Sequence, residues 1–284
     1  MNVNKYSNLI IKQKDDTKIE VIVDSNILSN LKKYKWYHNG NGYIRSRING
    51  KLVYLHRYII HAKKNDEVDH INGNTLDNRK QNLRIVNRSQ NNMNRLNTSG
   101  VWFSKQKKRW VAEIMVNRKK IHCGLFKRKE AAIAVRNANE LKYFKKYSAK
   151  KKKFKIGLTF GVFCFLHEGH IKLLQNAKKY VDVLIVCVSN DAYSLKHKGK
   201  KPPIKLRNRQ KSVYALDFVD CVDVQSLKFG KKEAIEKYCP TYLFVGNDHR
   251  NDYTGEGLGI PVIYLPHTDN ISTTQIINEI KGQN

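Results

Sequence analysis

An aspartate stands directly before a histidine in Val68-Asp69-His70-Ile71-Asn72-Gly73-Asn74, and two asparagines follow at Asn82 and Asn91. Cutting a phosphodiester requires an activated water, neutralisation of the crowded phosphate and help for the leaving oxygen. A neutral imidazole beside the scissile phosphate can act as general base. A carboxylate and an amide carbonyl oxygen suit a hard divalent cation such as Mg2+. Asp69, His70 and Asn91 offer those three groups, and Gly73 permits a tight loop after the histidine.

A second histidine pair closes over one glycine in His167-Glu168-Gly169-His170. Nucleotidyl transfer joins a substrate phosphate to the α-phosphate of a nucleotide and expels pyrophosphate. The site must mainly hold both partners in line and stabilise negative charge. A glycine-containing turn from a strand into a helix offers backbone N–H groups and the positive helix end for that task. Gly169 lets phosphate approach the backbone, and His167 and His170 can donate to its oxygens.

These side chains need elements to place them. The interval from Asp69 to Asn91 suits a two-stranded hairpin, its return strand opening at Asn82-Leu83-Arg84, followed by a helix within Ser89 to Asn94. Upstream, Ile19 to Asp24, Tyr34 to Tyr37, Tyr43 to Ile48 and Lys51 to Leu55 read as strands. Asn39-Gly40-Asn41-Gly42 and Asn49-Gly50 read as turns, and Arg57 to His61 as a short helix. A new unit starts at Ser99-Gly100, with strands over 100–104, 109–116 and 120–126 and a helix over 129–145. The lysine run Ala149-Lys150-Lys151-Lys152-Lys153 is a charged joint. Beyond it, apolar strands alternate with helices, which implies a parallel sheet covered on both faces.

The chain has 284 residues and a net charge of +30, from 54 basic and 24 acidic residues. About 33 of the basic and about 11 of the acidic residues precede Lys151, roughly +22 for that part. A polyanionic partner therefore belongs to the first half, and nucleic acid fits it, since each lysine or arginine on a phosphate releases counterions. Five cysteines form no C-x-x-C pair, which argues against a disulfide framework or a zinc ribbon and suits a reducing compartment. No apolar run reaches a membrane span, and no apolar leader opens the chain, so a soluble, cytoplasmic protein with no membrane partner is expected.

The text Leu55-His56-Arg57, Asp69-His70-Ile71-Asn72-Gly73-Asn74, Asp77-Asn78, Asn82-Leu83-Arg84 and Asn91 resembles the HNH homing endonucleases, in the variant whose final histidine is asparagine. The resemblance covers about Tyr34 to Asn94. It implies a ββα-metal fold, His70 as general base, Asp69 and Asn91 as ligands of Mg2+ or another divalent cation, and Asn82 as the brace of the loop that orients His70. His56 is left as either structural or near the phosphate.

Gly100-Val101-Trp102-Phe103, Arg109-Trp110-Val111-Ala112, His122-Cys123-Gly124-Leu125-Phe126 and Glu130-Ala131-Ala132 resemble the Apetala-type (ethylene-response-factor) DNA-binding domain. That family lays a three-stranded sheet in the major groove of double-stranded DNA. The resemblance, with strand alternation, points to Trp102, Lys107, Lys108, Arg109 and Arg118 as DNA contacts. Trp110 is expected in the core.

The stretch Thr159-Phe160-Gly161-Val162-Phe163-Cys164-Phe165-Leu166-His167-Glu168-Gly169-His170 resembles the cytidylyltransferase family, as does Ile271-Ser272-Thr273-Thr274-Gln275-Ile276. The resemblance implies that Phe160, Gly161, Phe163 and Gly169 surround a nucleotide and that His167 and His170 stabilise the transition state. It also implies that Ser272, Thr273 and Thr274 hold the β- and γ-phosphates, that Lys198 neutralises phosphate charge, and that Arg209 and Asp248 line the site. Mg2+ would accompany CTP. Two departures stand out: Cys164 takes the place of an aspartate, and His267-Thr268-Asp269-Asn270 takes the place of Arg-Thr-Glu-Gly.

The expected architecture is multidomain, α+β and α/β. It comprises an HNH endonuclease domain over 1–97, an ethylene-response-factor-like domain over 98–148, a basic linker over 149–153, and a Rossmann-like cytidylyltransferase domain over 154–284. The expected partners are double-stranded DNA, CTP and a small alcohol phosphate such as glycerol 3-phosphate, with a homodimer through the C-terminal domain. An alternative keeps one half active: a cytidylyltransferase with a degraded DNA-binding remnant, or an endonuclease with a silent nucleotide-binding domain.

Overall fold

The computed structural model describes residues 5–13, 15–94, 100–148, 154–247 and 258–266. The chain divides into two compact units, Met1–Asn97 with Phe144–Lys151, and Thr98–Tyr143 with Lys152–Asn284.

The first unit opens with β1 (Tyr6–Lys12) and β2 (Lys18–Asp24), an antiparallel hairpin. A one-turn helix α1 (Leu28–Leu31) leads to a three-stranded antiparallel sheet of β3 (Tyr37–His38), β4 (Ile44–Ile48) and β5 (Lys51–Tyr54). Asn49 and Gly50 both take left-handed φ values, 49° and 74°, as a two-residue turn between twisted strands requires. Helix α2 (Leu55–Ile59) follows, then the hairpin β6 (Glu67–His70) and β7 (Leu83–Val86), then α3 (Arg88–Met93). A capping box starts α3: Gln90 N donates to Asn87 Oδ1 at 2.9 Å, and Asn87 N donates to Gln90 Oε1 at 3.0 Å. Leu9, Ile11, Val21, Val23, Leu31, Trp36, Ile44, Leu55, Ile59 and Leu83 form its core.

β1, which the sequence reading did not pick out, matters to the site through its partner strand. β2 holds the loop after β6: Ile22 N donates to Leu76 O at 2.9 Å, and Asn78 N donates to Ile22 O at 2.8 Å. The expected strand over 34–37 shrinks to Tyr37–His38, because Tyr34 and Trp36 are drawn into an edge-on aromatic cluster with Tyr58.

The second unit begins with β8 (Val101–Ser104), β9 (Arg109–Val116) and β10 (Lys119–Phe126), antiparallel in the order β10-β9-β8, followed by helix α4 (Lys129–Phe144). Ala131, Ala132, Ala134 and Val135 are buried on α4, where small side chains allow close approach. Next come β11 (Ile156–Gly161), α5 (Glu168–Lys179), β12 (Val183–Ser189), α6 (Asp191–Lys198), α7 (Leu206–Ala215), β13 (Cys221–Gln225), α8 (Lys231–Tyr238), β14 (Tyr242–Gly246) and β15 (Val262–Leu265). Helix α6 is a further element absent from the sequence reading. The five strands run parallel in the order β13-β12-β11-β14-β15. All seven residues of β12 are buried, as a strand covered on both faces demands. This is a Rossmann-like sheet, and its strand order reverses direction at β11, where such sheets open a crevice beyond the strand ends.

The small sheet is fastened to the parallel one. Lys127 Nζ donates to Leu216 O at 2.8 Å, Arg128 Nε to Asp220 Oδ1 at 2.7 Å, and Asn139 Nδ2 to Lys237 O at 2.9 Å. Thr98–Tyr143 lie in the same compact unit as the C-terminal sheet, and Phe144–Lys151 in the N-terminal unit.

Candidate functional site

In the first unit β6 carries Asp69 and His70 to the mouth of the hairpin. Both are buried, 7% and 4% exposed. Asp69 and Arg84 are direct partners across the hairpin. Arg84 donates to Asp69 Oδ2 through Nε at 2.8 Å and Nη2 at 2.6 Å, while Asn94 Nδ2 donates to Asp69 Oδ1 at 2.7 Å. Asn94 also donates to His70 O at 2.7 Å. Asn91 projects from α3 and donates through Nδ2 to Glu67 Oε2 at 2.8 Å, which leaves its carbonyl oxygen to accept.

Asn82 ties down the loop that leaves His70. Its Nδ2 donates to Asn72 Oδ1 at 2.9 Å and Asp77 O at 2.7 Å, and its Oδ1 accepts from Asn72 N at 3.0 Å. Asp77 fixes the far side through Asn72 Nδ2 and both Nε and Nη2 of Arg79. Burial pulls the Asp77 carboxyl upward, but these donors and the Arg79 charge outweigh it and hold it below the ordinary carboxylate value.

His70 Nε2 lies 3.4 Å from Asn78 Oδ1. Asn78 Nδ2 donates to Thr75 O, so its oxygen faces His70 as an acceptor. Nε2 then carries the imidazole proton, and Nδ1 keeps the basic lone pair. Burial lowers the His70 pKa below the ordinary imidazole value, against the opposing pull of Asn78, Asp69 and Asp77, which favours the neutral ring. His56, from α2, lies edge-on to His70 with ring centroids 5.3 Å apart. Burial, then His70 and Arg57, bring its pKa down to about 4. Tyr43 and Tyr54 flank this ring pair.

Among the described residues no group of three or more His, Cys, Asp or Glu side chains is gathered for a metal ion. The donors present still suit a hard cation: Asp69 Oδ1, which accepts only from Asn94, keeps a lone pair, while Oδ2 is taken up by the two Arg84 bonds, and Asn91 offers its amide oxygen.

In the second unit the candidate residues gather after the carboxyl end of β11, at the point where the strand order reverses. Phe163 and Phe165 take left-handed φ values of 50° and 51°, a strained double turn between strand and helix. His167 is the N-cap of α5, and its ring stacks on that of His170, centroids 3.8 Å apart and planes 27° apart. The Phe163 ring meets His170 edge-on at 5.2 Å. A Cβ at Gly161 would come within 2.8 Å of the Phe163 ring, so glycine is what lets that ring sit beside the histidines. Phe160 is half-buried on β11, Gly169 lies in the first turn of α5, and Cys164 is buried at 4% exposure.

Arg209 sits elsewhere than at a ligand-facing surface. It is 1% exposed on α7, donating to Val162 O, Ser189 O and Asp191 Oδ1, each at 2.7 Å, and to Ile204 O at 2.9 Å. It clamps the loop after β11 to the end of β12. Lys198 is exposed at the last position of α6. Asp248, Ser272, Thr273 and Thr274 lie outside the described residues.

On the small sheet Trp102 is 41% exposed. Lys107 and Lys108 are exposed in the turn before β9, and Arg118 is exposed in the turn after it. The Arg109 guanidinium lies 3.8 Å from the Tyr214 ring centroid. Trp110 faces the other way and is half-buried against Phe103.

Residues 158–279 match the cytidylyltransferase-like family, and residues 53–93 match the HNH endonuclease family. Glycerol-3-phosphate cytidylyltransferase of Bacillus subtilis (strain 168) is 35% identical over 125 residues, 44% of this chain and 96% of that protein. The protein of the same name from Staphylococcus aureus (strain NCTC 8325 / PS 47) is 32% identical over 127 residues, covering 44% and 95%. Bifunctional protein HldE of Desulfatibacillum aliphaticivorans is 37% identical over 134 residues, 45% of this chain but only 27% of that longer protein. The chain belongs to the cytidylyltransferase-like family and carries an HNH endonuclease domain in front; it is an enzyme. No helix among the described residues is long and apolar enough to cross a membrane.

Arg84, Asn94, Glu67 and Asn78 are the site residues that sequence reasoning left without a role. Arg84 was readable only with the hairpin register, which sets it opposite Asp69.

Proposed function

We propose that this chain performs two phosphorus chemistries: hydrolysis of a DNA phosphodiester at the HNH unit, and transfer of CMP from CTP to a small alcohol phosphate such as glycerol 3-phosphate at the parallel sheet. β6, β7 and α3 serve as the ββα-metal core. His70 Nδ1 removes a proton from the attacking water, while Asn78 holds the other ring nitrogen. Asp69 and Asn91 would hold a divalent cation, and such an ion would supply neutralisation of phosphate charge and help for the leaving oxygen. Asn82 acts through the loop it braces, as a positioning residue. The small sheet and its basic turns grip double-stranded DNA.

At the second site His167 and His170 donate to phosphate oxygens as charge builds in the transition state, and the start of α5 adds its N–H groups. The alcohol phosphate attacks the α-phosphorus, and pyrophosphate leaves with the electron pair of the broken bond. Ser272, Thr273 and Thr274 hold the departing phosphates, Lys198 neutralises their charge, and Asp248 serves the nucleotide or substrate side. Arg209 is a positioning residue that sets the loop bearing Phe163. Two chains pair through this unit, which light scattering tests.

The stacked imidazoles at the crevice of the sheet, within a stretch 35% identical to a cytidylyltransferase, carry the transfer half. His70, buried next to Asp69 with Nε2 held towards Asn78 in a stretch that matches the HNH endonuclease family, carries the cleavage half. Pyrophosphate release from CTP and glycerol 3-phosphate tests the first. Mg2+-dependent nicking of plasmid tests the second.

A further inference from the structure

Helix α7 presents Arg207, Gln210, Lys211 and Tyr214 at i, i+3, i+4 and i+7, a single stripe along one side. Arg209, one residue off that stripe, is the buried clamp. Across from the stripe stands Arg109 at the start of β9. Together these five residues line most of an open groove of about 360 Å3. Three of them are cations and none of the groove's lining residues is acidic. The Arg109 guanidinium lies over the Tyr214 ring at 3.8 Å from its centroid, and Lys127 approaches the same ring at 4.2 Å.

Such a concentration of like charge in a shared recess is self-repelling unless an anion enters it. Arg207 and Lys211 are exposed, and four helical residues separate them by about 6 Å along the axis, close to the spacing of neighbouring phosphates on one strand. The groove is also continuous with the sheet. Trp102 pairs with Val111, two residues from Arg109, so Trp102, Arg109 and Met115 share one face. Trp102 and Met115 are 41% and 56% exposed there.

We propose that this groove receives the phosphate backbone of duplex DNA, so that α7 of the transferase sheet forms part of the DNA grip. Arg207 and Lys211 contact phosphates, and Tyr214 holds the Arg109 guanidinium at the edge of the track. The inference rests on the DNA-binding reading of the small sheet.

The test is fluorescence anisotropy of a labelled duplex with the full chain in EDTA, over a range of salt concentrations. Arg207→Ala with Lys211→Ala is expected to weaken binding about ten-fold and to flatten the log–log salt slope by roughly 2, near 0.9 per lost contact. Unchanged affinity and slope in a variant with wild-type thermal melting overturns the inference. Lys107→Ala with Lys108→Ala separates the two failures. If that pair weakens binding and the α7 pair does not, the sheet grips DNA and the groove does not. If the wild-type chain binds no duplex, both readings fall. Loss of CTP binding with intact duplex binding in the α7 pair makes the groove a nucleotide subsite and also overturns the inference.

Discussion

Arg84 and Asp69 face each other across the β6–β7 hairpin, and the guanidinium donates twice to one carboxylate oxygen. The pair is mostly buried, with side chains 15% and 8% exposed. Arg84 also stacks on Tyr147 at 4.9 Å and donates to Lys146 O. A fixed cation therefore already sits against the carboxylate that the proposed divalent ion must use.

Replacing Arg84 by methionine removes that competing charge. Calorimetry without DNA is expected to show tighter Mn2+ or Mg2+ binding, by several-fold. The unit also loses about 2 to 3 kcal/mol of stability, as charged hydrogen bonds are lost. Unaltered metal affinity denies Asp69 a role as ligand.

The paired imidazoles of the first unit predict a pH dependence. His56 has a folded pKa of about 4 against an ordinary 6.5, and His70 is also lowered. Between those His56 values the unfolded chain binds more protons than the folded unit, so stability falls as pH drops through the window and levels off below it. Each pKa unit is worth about 1.4 kcal/mol. Thermal melting across that range reads the effect, and His56→Phe flattens the curve. The acid limb of the nicking rate, where His70 gains its proton, is expected below the ordinary imidazole value, because burial lowers the His70 pKa.

Arg209→Met strips four hydrogen bonds from the loops around the crevice and leaves the Asp191 carboxylate without its arginine partner. A loss of about 1 to 3 kcal/mol is expected from buried carbonyls left without a donor, since the Asp191 side chain is 46% exposed and returns to water. Chemical denaturation checks it. A small change places the guanidinium outside the clamp.

Gly161→Ala places a methyl against the Phe163 ring, which must swing toward or away from His170. Transfer is expected to fall roughly ten- to a hundred-fold in kcat, since displacements near 1 Å carry that cost. Global stability, read by melting, changes much less. Equal loss in both measurements makes Gly161 a packing residue alone.

Much of this was legible in the sequence. The β-α alternation beyond Lys153 gave a parallel sheet, and His167 and His170 fall within one turn, so their proximity followed from spacing. Asp69, His70 and Asn82 were likewise visible as a cluster. Arg84 was not, because its role depends on a register set by a loop of many residues. Arg209, expected to line the site, is 1% exposed, and four of its five N–H donors go to Val162, Ser189, Ile204 and Asp191. The packing of Arg109 on Tyr214 joins residues far apart in the chain and has no local signal.

The most direct measurement assays one preparation for both chemistries, Mg2+-dependent plasmid nicking and CTP-dependent pyrophosphate release, in the wild type, His70→Ala and His167→Ala. The account predicts that His70→Ala abolishes nicking and spares pyrophosphate release, and that His167→Ala does the reverse. Nicking that survives His70→Ala, or pyrophosphate release that survives His167→Ala, contradicts it.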